Sequence, residues 1–186
     1  MSDGETTPVD DQRLRKTGAI LMSVFAFVWA VGPPPVTDAT RPIVLGVALV
    51  LTALTLVLAL RSRGNGTRDL AADWQRQYNR VALVEFAAIA VVVVGLVVLD
   101  AAELITPAVC LVVGAHFVPL ATLFGQQVYR WTGLALVAVG LAGVVVAVAG
   151  DGDLARATTG FGAAAVLWLT SVVVSLAVDR SRVPVR

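Results

Sequence analysis

Long runs without a charge, separated by short polar breaks, dominate this chain. Six segments consist almost entirely of Val, Ala, Leu, Ile, Gly and Phe, at roughly 17–32, 43–60, 81–99, 104–124, 131–149 and 160–178. A membrane-crossing helix needs about 20 mostly apolar residues. A Val-rich run of this length also suits a buried strand in water. Six such runs with the charges gathered between them suit helices in lipid better, because an open sheet edge leaves backbone groups unsatisfied there. The pattern predicts an all-α polytopic membrane protein. It would be a six-transmembrane-helix bundle over 17–178, with an N-terminal tail at 1–16 and a C-terminal tail at 179–186. The first span is the shortest. Val28-Trp29-Ala30 behind a basic stretch also resembles a signal-peptide cleavage site. Four acids ahead of it (Asp3, Glu5, Asp10, Asp11) and the bulk of Trp29 favour a retained helix.

Composition agrees with this pattern. The chain of 186 residues is 58% hydrophobic and 15% charged, with a mean hydropathy of +0.84. A soluble domain is closer to half apolar and a quarter charged. A net charge of +1 gives no reason to expect a nucleic-acid partner. The single cysteine, Cys110, excludes an intrachain disulfide and any multi-cysteine metal site, and its apolar surroundings make it a small packing residue. With one histidine and few intramembrane acids, a three-ligand catalytic zinc site cannot be assembled. Neither G-x-S-x-G, a phosphate-cradling loop nor a TVGYG filter occurs. No catalytic residue, cofactor or metal is therefore expected.

The basic residues orient the spans. Arg13, Arg15 and Lys16 precede the first. Arg61, Arg63, Arg68, Arg76 and Arg80 lie between the second and third, Arg130 between the fourth and fifth, and Arg180, Arg182 and Arg186 after the sixth. Only Arg41 and Arg156 fall on the other side. The positive-inside rule then puts both termini in the cytoplasm and the chain in the inner (plasma) membrane. The outer loops are short, so capture of a large ligand outside is excluded.

One sizeable loop remains, RSRGNGTRDLAADWQRQYNR at 61–80. After its flexible GNG, the stretch 69–80 can be helical. It would be either an interfacial helix with Trp74 and Tyr78 at headgroup depth or a solvated extension of the third span. Trp74, Tyr78, Arg80, Tyr129, Arg130 and Trp131 are the residues expected at the interface, where arginines would meet anionic lipid.

Within lipid, close approach of small residues drives helix packing. Gly133, Gly140, Gly143 and Ala147 form a stripe on span five, and Thr106, Cys110, Gly114 and Ala121 form one on span four. Span six offers GFGAAA, then Thr170, Ser171 and Ser175. These stripes suit packing within one bundle and equally a homo-oligomer or a partner membrane helix.

Two ionisable residues lie inside the spans, Glu85 and His116. Such residues are costly in lipid and mark functional sites by default. Thr106-Pro107 reads as an N-cap followed by proline in the first turn, which sets His116 near mid-membrane, with Glu85 about one to two turns nearer the cytoplasm. Adjacent antiparallel helices would let the two side chains meet. Pro119 cannot bond the carbonyl of Ala115 and so frees it beside His116. Glu85, His116 and Pro119 form the candidate polar site: a proton or solute site, or a structural clamp between spans three and four. In a third alternative, Glu85 snorkels towards Arg80.

The segment GAHFVPLATLFGQQVYRWTGLALV resembles a pattern in small, uncharacterised bacterial multi-pass membrane proteins. The matching residues are Gly114, His116, Phe117, Pro119, Leu120, Ala121 and Phe124, then Tyr129 and Gly133. The second half departs from the pattern in spacing and by carrying Trp131. The resemblance covers about a sixth of the chain and implies no activity beyond a multi-pass protein. Two function classes follow from the sequence: a membrane-embedded interaction or structural protein, or a small transporter or channel-like protein using Glu85 and His116.

Overall fold

The structure is a computed structural model, and it describes residues 6–32, 34–62 and 67–176. Arg63, Arg180, Arg182, Arg186 and the predicted C-terminal tail lie outside the described residues. The protein is an all-α bundle of six helices: α1 (Asp11–Val31), α2 (Arg41–Arg61), α3 (Trp74–Val98), α4 (Ile105–Leu123), α5 (Gln127–Val148) and α6 (Gly152–Leu176). All six contain a stretch long and apolar enough to cross a membrane. This is a multi-pass membrane protein.

Several helices start earlier than their apolar spans. α1 begins at Asp11, where Asp10 Oδ1 accepts the Arg13 amide at 3.3 Å. α3 begins at Trp74, so the polar stretch 74–80 is the first two turns of that helix and not a separate interfacial helix. α6 begins at Gly152, with Asp151 Oδ1 accepting the Leu154 amide at 2.8 Å. Hydropathy marks where lipid begins, while the backbone hydrogen bonds continue past that edge. α4 corrects another expectation. A 3-10 turn at Ala102–Leu104 precedes it, so Thr106 and Pro107 stand inside the first turn and Thr106 is not the cap. The helix also runs on through Pro119.

Three tight turns close the helical hairpins in one way. Residues Asp100, Gly125 and Gly150 adopt positive φ, at 55°, 58° and 95°. The amides of Ala101, Gln126 and Asp151 then reach back to Leu96, Ala121 and Val146. This is the left-handed helix stop that glycine favours, here accepted once by an aspartate.

Packing order differs from chain order. Neighbouring helices run α2, α1, α6, α5, α4, α3, with α6 also touching α2 and α4. α6 is therefore central, and α2 and α3, consecutive in the chain, stand at opposite edges. The described part of the segment between them, 67–73, lies at one end of the bundle. There β2 (Thr67–Ala71) pairs antiparallel with β1 (Thr6–Asp10), Thr6 opposite Ala71. That end also carries Lys16, Arg61, Arg76, Arg80 and Arg130, and it is called the basic end below.

Hydroxyls around α6 mark the bundle centre. Ser171 meets Ser23 of α1 at 2.9 Å, Thr170 meets Thr132 of α5 at 2.8 Å, and Trp168 Nε1 donates to Thr52 of α2 at 3.2 Å. One turn of α6 thus binds three other helices by polar contacts, each group finding a partner that lipid would not supply. Thr159 Oγ1 and Ser175 Oγ are buried without a hydrogen-bond partner. α1 supplies Ala19, Met22, Ser23, Ala26 and Trp29 to this interior and is an integral part of it.

Candidate functional site

The α3–α4 seam holds the intramembrane charges. Along α3, Trp74, Tyr78, Val81, Glu85 and Ile89 recur every three or four residues on the half-covered side. That spacing lines one helix face. His116 faces it from α4. Its Nε2 stands 3.3 Å from Glu85 Oε2, and the two side chains are only 11% and 16% exposed. No residue of α3 is fully buried, and Glu85 lies on the half-covered side of that helix. The backbone of Val81, one turn before Glu85, is the ring's other polar neighbour. The contact serves either as an ion pair or as a neutral O–H···N hydrogen bond, since one proton lies between an acid and an imidazole.

This geometry corrects two expectations. Glu85 turns to His116, while Arg80 is exposed on α3, so snorkelling to Arg80 is not what the structure shows. Pro119 lies exposed with Ala115 on an outer flank of α4. The polar neighbours of His116 come from α3, not from a carbonyl freed by the proline.

An aromatic series runs from the pair to the basic end. His116 meets Phe117 edge-on at 6.3 Å between ring centroids, and Phe117 meets Tyr129 at 6.1 Å. Tyr129 meets Phe124 at 6.2 Å. Phe124 also packs on Trp74 at 6.3 Å and Tyr78 at 6.2 Å. These separations are those of attractive tilted ring pairs. Tyr129 therefore departs from the interface role its neighbours suggested. It is buried, with its hydroxyl against Gly18 of α1. Trp74 and Tyr78 are half-covered by Phe124, whereas Arg80, Arg130 and Trp131 are exposed.

The small residues sit at close helix crossings. A Cβ on Gly114 would lie 2.9 Å from the Gly133 carbonyl, and one on Gly133 would lie 2.6 Å from the Gly114 carbonyl. Gly140 faces Leu111 and the Pro107 carbonyl, Gly143 faces Thr159 and Pro107, and Ala147 is buried. Cys110 is buried with its thiol directed at the Leu136 carbonyl, 3.3 Å away. Phe124 as an aromatic hub, and Ser23, Thr52 and Thr132 as hydroxyl partners, were not singled out from the sequence. The signal for the hydroxyls was their placement inside apolar spans.

At the other end, a shallow cavity of about 350 Å³ is lined by Glu103, Asp151, Asp153 and Arg156. Three of these charges are engaged locally: Arg156 pairs with Asp153, and Asp151 caps α6. Among the described residues, no three His, Cys, Asp or Glu side chains are grouped to hold a metal. No protein-family model matches the chain, and no curated protein or solved structure matches it.

Proposed function

We propose that this is an integral inner-membrane protein with both termini cytoplasmic, and that it works as a membrane-embedded interaction or structural protein. The basic end, with Arg61, Arg76, Arg80 and Arg130, would face the cytoplasm and anionic lipid headgroups. The observation that carries the reading is α3. Its extensive packing is on α4, none of its residues is buried, and Leu83, Phe86, Val91 and Val94 stand exposed on it. Around the central turn of α6, in contrast, Ser23, Ser171, Thr132 and Thr170 pair with one another and Thr52 accepts from Trp168, which leaves little polar lining for a path at that level. A helix held at the edge of the bundle is placed to meet another membrane helix, and a second copy of this chain is the first partner to test.

The test is oxidative cross-linking in native membranes, with single cysteines placed at Leu83, Phe86, Val91 and Val94. Cys110 can stay, because it is buried. Dimers formed at one set of positions spaced three or four apart are expected. Equal cross-linking at α3 and at exposed α2 positions such as Val50 and Leu54 would indicate random collision and sink the reading.

One observation favours a second reading, in which the protein is a small transporter or channel-like protein. It is the Glu85–His116 contact itself. In liposomes under an imposed pH gradient, this reading expects proton flux in the wild type and its loss in Glu85→Gln and His116→Ala. The interaction reading expects no flux above empty liposomes.

A further inference from the structure

We infer that Phe124, with Trp74 and Tyr78, forms a gate that closes the α3–α4 seam between the basic end and the Glu85–His116 pair. The inference rests on the second reading, in which the pair exchanges protons with water on that side.

The placement follows from helix geometry. Tyr78 and Trp74 lie seven and eleven residues before Glu85 on α3, and Phe124 lies eight residues after His116 at the end of α4. At about 1.5 Å per residue these three rings stand roughly 10–16 Å from the pair, all towards the basic end. Phe124 bridges both α3 rings, at 6.3 and 6.2 Å, and the Tyr129 ring of α5 at 6.2 Å. The rings therefore cross the mouth of the seam from one wall to the other. Beyond the pair, the α3 face continues with Ala88, Ile89, Val92 and Leu96, which offer water no partner. Along the seam the pair thus has aliphatic side chains on one side and, towards the basic end, a cluster of rings on the other. The ring side is the one that faces the basic end, and so the one from which water would enter. Phe124 is not inside a helix but caps α4, next to Gly125, whose φ is 58° and beside which a Cβ would meet nothing within 4 Å. A hydrophobic constriction of this kind controls water by dewetting.

The experiment reads water access directly, not transport. Ala82 lies on the half-covered face of α3, between Tyr78 and Glu85. Ala82→Cys is placed in otherwise wild-type protein, whose buried Cys110 gives the background, and is treated with a charged, membrane-impermeant thiol reagent from the basic side. Slow labelling is expected, rising at least tenfold when Phe124→Ala is added. Trp74→Ala should give a smaller rise, and Phe124→Leu should stay close to the wild-type rate. Leu83→Cys, exposed on the outer side of α3, should label slowly with or without Phe124→Ala. The gate is overturned by fast labelling of Ala82→Cys alone, by no change on adding either Phe124→Ala or Trp74→Ala, or by an equal rise at Leu83→Cys, which would report general loosening. Trp74→Ala keeps the test decisive should Phe124→Ala fail to fold. Proton flux measured separately in the wild type distinguishes failure of the gate from failure of the proton-site reading.

Discussion

Replacing Gly114 with leucine is expected to leave no folded protein, and even Gly114→Ala should lower stability clearly. The α4–α5 contact is the most extensive between any two helices of the bundle. At Gly114 a Cβ would stand 2.8 Å from the Val137 amide nitrogen and 2.9 Å from the Gly133 carbonyl oxygen, closer than real Cβ contacts come. Both obstacles are backbone, so no rotamer change relieves them. The helices must separate, and Gly140 then leaves Leu111 and the Pro107 carbonyl as well. Overpacking typically costs about 1–3 kcal/mol, and alanine at Gly114 or Gly133 should fall in the upper part of that range. Leucine adds three further carbons to the same crossing. Dispersion between close backbones is a main force holding membrane helices, because lipid is as apolar as the side chains, so nothing offsets the separation. Reversible unfolding in mixed detergent micelles measures this. Gly46→Ala and Gly95→Ala are the controls, since nothing lies within 4 Å of a Cβ at either position. They should be neutral or slightly stabilising, as alanine is the better helix former. Wild-type stability in Gly114→Ala would mean that α4 and α5 do not cross at this distance.

The six spans were legible because lipid imposes a length and a lack of charge that few other structures share. The helix ends were less so: Asp11–Lys16 is polar yet helical, whereas for Trp74–Arg80 the sequence offered an extension of the third span beside a separate interfacial helix, and the extension is what forms. Glu85 and His116 stood out as the ionisable residues inside spans, and the short turn at Asp100 puts their helices side by side. Tyr129 was misleading. Beside Arg130 and Trp131 it looked like part of an interfacial belt, but it lies four residues before Gly133. The buried residues Tyr129, Gly133, Leu136, Gly140, Gly143 and Ala147 form one continuous stripe on α5. Helical phase was the better guide there than local composition. The order α2, α1, α6, α5, α4, α3 was not legible. Apolar residues cover lipid-facing and buried sides alike, so the amphipathic signal that orients a helix in water is nearly lost. The hydroxyls that mark α6 as central acquire meaning only once Ser23, Thr132 and Thr52 are seen opposite Ser171, Thr170 and Trp168.

Removing one member of the Glu85–His116 pair should cost more stability than removing both. In His116→Leu, the Glu85 carboxyl keeps its place in the seam but loses its partner at 3.3 Å. Breaking a buried pair from one side costs about 3–5 kcal/mol in water-soluble proteins. Polar contacts between membrane helices average nearer 0.6 kcal/mol, with a maximum of about 1.7. The seam lies at the edge of the bundle and a carboxyl there can take up a proton, so the lower scale governs, augmented by the unpaired group. A loss of about 2 kcal/mol is expected for His116→Leu. Glu85→Gln keeps a polar group facing the ring and should lose less. Glu85→Leu with His116→Leu replaces both polar groups with side chains that suit α3 and α4, and it should recover to within about 1 kcal/mol of wild type. The double-mutant cycle therefore carries a favourable coupling, visible as non-additivity. If the two single losses simply add in the double variant, the pair contributes nothing to holding α3, and the rings of Trp74 and Tyr78 on Phe124 carry that docking alone. Recovery in the double variant has a second consequence. It yields a folded protein without the pair, in which the absence of proton flux can be assigned to chemistry and not to unfolding.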